Sequence, residues 1–225
     1  MKLTVLYEDN HLIAVFKPSR MLVQDDVTGD SSLYDQVKYY LKNKYHKPGN
    51  VFLGMLHRLD RPVCGVILFA RTSKAAARLS EQFRNYSIKK IYHAFVIGHL
   101  RKKEDTLVHF LKKDQKLNIT TAQLEEIPES LRAELSYEVV EEFTNASLVK
   151  IKLKTGRPHQ IRTQLSAIGH PIMGDIKYGA PDLLPDETGI ALMSTELTFK
   201  HPTKKETITV TSDLPEKWFE YARKN

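Results

Sequence analysis

The residues best suited to chemistry lie in one stretch, residues 55–71, which reads MLHRLDRPVCGVILFAR. A charged cluster, His57-Arg58-Leu59-Asp60-Arg61, interrupts otherwise apolar sequence beside Pro62 and Gly65. A carboxylate at the edge of a core can act as a nucleophile or base if neighbouring cations hold it ionised where burial would raise its pKa. Local composition alone favours an ordinary turn, with Asp60 accepting backbone hydrogen bonds and the arginines solvated. A second charged segment, Thr155-Gly156-Arg157-Pro158-His159-Gln160-Ile161-Arg162, brings two arginines and a histidine. His57, His159 and His170 lack HExxH spacing or a cysteine partner, so no metal site is expected. No phosphate-binding glycine loop occurs, so no nucleotide cofactor is expected.

The elements that must position these groups are legible as hydrophobic patterns. Residues 3–7 and 11–16 are short runs rich in Val, Leu and Ile around the polar Glu8-Asp9-Asn10, which reads as a hairpin, and Lys17-Pro18 ends the second strand. Residues 32–45 carry Leu33, Val37, Tyr40 and Leu41 at helical spacing, and Pro48-Gly49 terminates that helix. Residues 66–70 form a continuous apolar run of buried-strand length, followed by Ser73 as expected helix cap before Ala76, Leu79 and Phe83. Strands are expected at 91–97, 134–140 and 147–154, the last two joined at Thr144-Asn145, and further strands at 192–199 and 207–210. Pro158 is expected in the first turn of a helix whose apolar face is Ile161, Leu165 and Ile168, with His159 and Arg162 on another stripe. Residues 214–222 read as a helix, and 179–189, with two prolines and two aspartates, as a long surface loop. The result is a mixed α/β chain with more strand than helix, reading as one structural unit over 1–225.

The 225 residues are 41% hydrophobic, enough for a sizeable core, which excludes a disordered or fibrous chain. Thirty-four Lys and Arg against 27 Asp and Glu give a formal charge of +7, which suits a polyanionic partner but is also common for solubility alone. Arg84, Lys89, Lys90, Arg101, Lys102 and Lys103 flank one apolar segment, while acidic residues gather at 125–129 and 138–142. Such separation is what a nucleic-acid-facing side would need. Cys64 is the only cysteine, so no intramolecular disulfide can form. With no signal peptide and no apolar run near about 18 residues, a cytoplasmic chain without membrane contact is expected.

Four segments in order decide between chemistry and an ordinary turn: the HRLD stretch at 57–60; Lys90-Ile91-Tyr92-His93-Ala94; the segment 155–162; and GHPIMGDIKYG at 169–179. Together they resemble the RluA-type pseudouridine synthases, from LYEDNHLIAVFKPSRMLV near the start to ALMSTELTFKHP near the end. The resemblance implies a bipartite, largely antiparallel mixed sheet flanked by helices, with a central RNA-binding cleft. It implies an isomerase that breaks the N1–C1′ bond of uridine in structured ribosomal or transfer RNA and rejoins the uracil through C5, without a cofactor. The HRLD aspartate, here Asp60, matches the family's catalytic residue. Arg162 matches the arginine that pairs with it, a role suited to a bidentate guanidinium. Tyr92 matches the tyrosine that stacks on the flipped uracil and serves in the final C5 deprotonation.

The same comparison assigns substrate contacts. Arg58 resembles the arginine that enters the RNA stack where the target nucleotide leaves it, offsetting part of the few kcal/mol that flipping costs. His57, Arg157 and His159 belong to the same motifs and are expected to bind RNA. Leu192 falls near the place where the family packs an apolar side chain on the uracil, although Met193-Ser194 departs from the pattern there. Cys64 stands where the family has Ser or Thr and is given no role, and Asp175 is expected to anchor its loop by hydrogen bonding. Many relatives carry an N-terminal S4-type RNA-binding domain, and the motifs here begin too early to leave room for one, which resembles the smaller single-domain members and makes a monomer the expectation. The rival readings are a non-catalytic RNA-binding or ribosome-assembly protein on the same fold, against which Asp60, Tyr92 and Arg162 are all present, and an RNA hydrolase, for which a second matched carboxylate is missing.

Overall fold

The polar break after the first apolar run becomes a tight turn because Asp9 Oδ1 accepts the backbone N–H groups of His11 (2.7 Å) and Leu12 (2.8 Å). It joins β1 (Val5–Glu8) to β2 (Leu12–Lys17) as an antiparallel pair in the computed structural model, which describes residues 3–25, 29–186 and 189–224. The chain divides into two compact units, one formed by residues 1–90 and 194–213, the other by 91–193 and 214–225.

In the first unit, β2 pairs antiparallel with β4 (Cys64–Ala70), from Leu12 opposite Ala70 to Lys17 opposite Gly65. Every β4 side chain is buried, which is why its sequence is continuously apolar rather than alternating. A two-residue strand, β3 (Gly54–Met55), also lies antiparallel to β4. β10 (Leu192–Lys200) and β11 (Thr207–Thr211) form a hairpin whose Leu197, Phe199 and Val210 join Leu12, Val66 and Leu68 in the core. Helix α1 (Leu33–Lys44) is capped by Ser32, whose hydroxyl accepts the Asp35 N–H. Helix α2 (Ser73–Arg84) buries Ala75 and Leu79. Its cap is Thr72, not Ser73: Thr72 is extended, so its hydroxyl reaches the Ala75 N–H, whereas Ser73 is already helical.

In the second unit, β5 (Lys89–Ile97) pairs with β9 (Ala146–Leu153), β9 with β8 (Leu131–Glu142), β8 with β6 (Glu104–Asp114) and β6 with β7 (Ile119–Gln123), all antiparallel. Sequence periodicity reveals neither β6 nor β7. On β6 the buried positions are Leu107, His109 and Leu111, while Val108 is exposed and Phe110 half-buried, so apolar and polar types sit on both faces. His109 is tolerated because Gln164 reaches its Nδ1 at 3.0 Å. Helix α3 (Gln160–Ala167) starts later than Pro158 suggests, because His159 takes a left-handed φ of 54°. Its polar stripe is not exposed: Gln160, Arg162, Thr163 and Gln164 are all buried and bonded to neighbouring chain. α4 (Glu216–Lys224) brings Trp218 and Phe219 edge-on to Phe95.

One expectation changes with these contacts. The basic cluster meets one of the two acidic clusters in space, Lys103 pairing with Glu142, while Glu129 of the other acidic cluster pairs with Lys112. The segment 179–189 is the expected surface loop, mostly exposed, tied down by the buried Ala180 and Leu184 and by the pairing of Asp186 with Lys217; residues 187–188 lie outside the described residues. Among the described residues no helix is long and apolar enough to cross a membrane.

Candidate active site

The HRLD residues sit on an irregular loop, residues 56–63, between β3 and β4 in the first unit. Asp60 is half-buried and Arg58 exposed, while Leu59 between them, 8% exposed, points into the core. The loop closes on itself through a bond from the Val63 N–H to the Asp60 carbonyl (3.0 Å). His57 stacks on Phe83 of α2, with ring centroids 4.9 Å apart, and its Nε2 accepts the Leu68 N–H at 3.1 Å. Burial, with the charge of Lys90 adding to it, pushes the His57 imidazole down to about 3, so it is neutral at physiological pH. Arg61 turns outward, donating to Asp30 and to the Arg20 carbonyl.

Lys17 is the residue that sequence reasoning passed over. Its side chain is fully buried at the end of β2, and its ammonium donates to the carbonyls of Pro18 (3.0 Å), Arg61 (3.0 Å) and Val63 (2.6 Å). Three carbonyls match the three N–H bonds of an ammonium, which is how a buried cation is tolerated. Burial pushes its pKa down to about 8, while Cys64 and Asp60 pull it the other way. Lys17 thus grips the loop from below and contributes positive potential towards Asp60. The available signal was a lysine continuing the register of the apolar run LIAVF. Gly65, next to the buried Cys64, is required by packing: its φ is +121°, and a Cβ would collide with the Ser194 backbone.

In the second unit, Arg157, His159 and Arg162 gather around the start of α3. The Arg162 guanidinium, 5% exposed as a residue, binds Asp175 bidentately, Nε to Oδ2 at 2.7 Å and Nη2 to Oδ1 at 2.8 Å. It also lies 4.7 Å from the centre of the Tyr178 ring. The Tyr178 hydroxyl accepts the Thr120 N–H and meets His159 Nδ1 at 2.7 Å. Arg157 donates through Nε to the Arg132 carbonyl, and its N–H to Gln160 Oε1. Asp175 therefore anchors its loop as its sequence context suggested, through a partner that context did not reveal. Tyr92 on β5 and Leu192 at the start of β10 are both buried, 7% and 2% exposed.

Residues 11–167 match the family model described as RNA pseudouridylate synthase. The chain belongs to the RNA pseudouridylate synthase family. Like other members it is an isomerase acting on uridines of RNA. Among bacterial members it is 35% identical to the dual-specificity RNA pseudouridine synthase RluA of Haemophilus influenzae, over 92% of this chain and 91% of that one. It is 33% identical to tRNA pseudouridine synthase C of Haemophilus ducreyi, over 97% and 93%, and 32% identical to ribosomal large subunit pseudouridine synthase D of Zymomonas mobilis, over 95% and 70%. The pseudouridine-synthase fold is shared with human RNA pseudouridylate synthase domain containing 4, with a TM-score of 0.79 at 21% identity over 96% of this chain and 90% of that one.

Proposed function

We propose that this synthase converts uridine to pseudouridine in ribosomal or transfer RNA without a cofactor, with Asp60 as its catalytic carboxylate. The observation that carries the assignment is the HRLD motif seated on a loop held by Lys17 at one end and by His57 at the other. A carboxylate fixed in this way meets the reacting sugar or base without first paying to be ordered. Relatives named for ribosomal RNA, transfer RNA and dual specificity match with similar identity, so both RNA classes are candidate substrates.

In this reading Arg58, exposed beside Asp60, enters the stack vacated by the flipped uridine. Tyr92 and Leu192 form the apolar surface against the uracil, and Tyr92 serves in removal of the C5 proton. Arg162 supplies the positive charge that favours an ionised catalytic carboxylate, and Arg157 and His159 support RNA binding. His57, expected from its motif to bind RNA, has its Nε2 taken by the Leu68 N–H and instead holds the loop. The N1–C1′ bond breaks, the C5–C1′ bond forms, C5 loses its proton and N1 gains one, so the reaction is balanced without redox chemistry. Residues 1–225 act as one catalytic domain, monomeric and cytoplasmic; light scattering on the purified chain tests the monomer.

Tritium release from RNA carrying 5-tritiated uridine tests the reading, using unmodified ribosomal and transfer RNA transcripts. The native chain releases tritium from at least one of them, and the Asp60→Asn variant releases none while binding the same RNA within about threefold of native affinity. Release by the Asn variant sinks the Asp60 assignment; no release from either RNA by the native chain favours a non-catalytic RNA binder on this fold.

A further inference from the structure

The ladder between β3 and β4 stops early. Gly54 faces Ala70 and Met55 faces Phe69, and the same register would place residue 56 opposite Leu68. The chain instead leaves the sheet after Met55 and enters the loop that carries Arg58 and Asp60. Leu68 is wholly buried, so its N–H needs an acceptor that water cannot supply. That acceptor is His57 Nε2, at 3.1 Å. A side chain has taken over a hydrogen bond of the ladder at the point where the backbone departs. The ring is fixed in that place by its stack on Phe83 of α2.

We propose that His57 is a positioning residue for the reaction, its imidazole substituting for a strand residue so that the backbone of residues 56–60 is released from the sheet in one defined conformation. This differs from a contact with RNA, and it rests on the reading of Asp60 as the catalytic carboxylate. A protonated imidazole could not accept from Leu68, and burial keeps this one neutral well below physiological pH. Three residues downstream the carboxylate inherits the position fixed by the ring. A displacement of about 1 Å at a reacting group costs on the order of 100-fold in rate, which sets the scale of the effect.

Three variants separate acceptor, ring and size. His57→Phe keeps an aromatic ring for Phe83 and removes the acceptor. His57→Gln places Oε1 the same number of bonds from Cβ as Nε2, and His57→Asn is one bond too short. The Phe and Asn variants are expected to lose about 10- to 100-fold in kcat with RNA affinity within about twofold of native, and the Gln variant to recover to within about fivefold. Amide exchange at Leu68 is read in the same proteins: protection falls at least about tenfold in Phe and Asn and returns in Gln. If the Phe variant does not fold, Gln against Asn decides. Unchanged Leu68 protection, equal kcat in Gln and Asn, or a loss confined to RNA affinity overturns the proposal. Turnover by Asp60→Asn with Leu68 protection still tracking the residue-57 acceptor would remove the Asp60 reading and leave the substituted ladder bond standing.

Discussion

Replacing Asp175 by Ala takes from the Arg162 guanidinium two charge-assisted hydrogen bonds, 2.7 and 2.8 Å long. The two side chains are 6% and 2% exposed, so water cannot simply take the place of the carboxylate. Removing one member of a buried ion pair costs up to about 3–5 kcal/mol, because the remaining charge keeps its desolvation penalty and loses the attraction of that member. The Tyr178 ring remains 4.7 Å away but carries no charge, so it contributes equally before and after. Taking about 3 kcal/mol, and 2–4 °C per kcal/mol for a chain of this size, the melting temperature falls by on the order of 10 °C. Asp175→Asn, which keeps one acceptor, falls by less. Urea unfolding followed by fluorescence of the single tryptophan is well placed to read this, since Trp218 belongs to the same unit as both residues. In a double-mutant cycle with Arg162→Met, losing both charges costs at least about 2 kcal/mol less than the sum of the two single losses. Additive effects, or a cost for Asp175→Ala below about 1 kcal/mol, would refute the account of how Arg162 is held.

Gly65→Ala forces a Cβ into the Ser194 backbone at a φ that L side chains rarely adopt, and backbone cannot swing aside as a side-chain tip can. Strain and overpacking together predict a loss of about 3 kcal/mol or more, read as a lower melting temperature and soluble yield; an unchanged melting temperature would contradict the close approach. For Lys17 the folded pKa of about 8 lies below its ordinary 10.5, so the folded state binds fewer protons between those values and stability gains as pH rises through that window. The gap corresponds to about 3 kcal/mol, so the unfolding free energy of the native chain minus that of Lys17→Met should rise by that order between pH 7.5 and about 10.5. A flat difference would show that the three carbonyls hold the ammonium unperturbed.

The sequence by itself determined the hairpin at the start, α1, α2 and the strands β5, β8, β9, β10 and β11 through the spacing of their apolar residues, and β4 through a continuous apolar run of buried-strand length. The HRLD and following motifs also singled out the loop and the residues Asp60, Tyr92 and Arg162 on which the proposed mechanism rests. Periodicity could not find β6, where an inward histidine and outward Val108 and Phe110 disguise the alternation. Nor could it show that Lys17 reaches the carbonyls of Arg61 and Val63, that Asp175 holds Arg162, or that Lys103 meets Glu142. Those pairings join residues far apart in the chain. Local sequence fixes which polar groups are buried only after the register of distant strands is settled, and the tertiary structure alone decides which acceptor each buried donor finds.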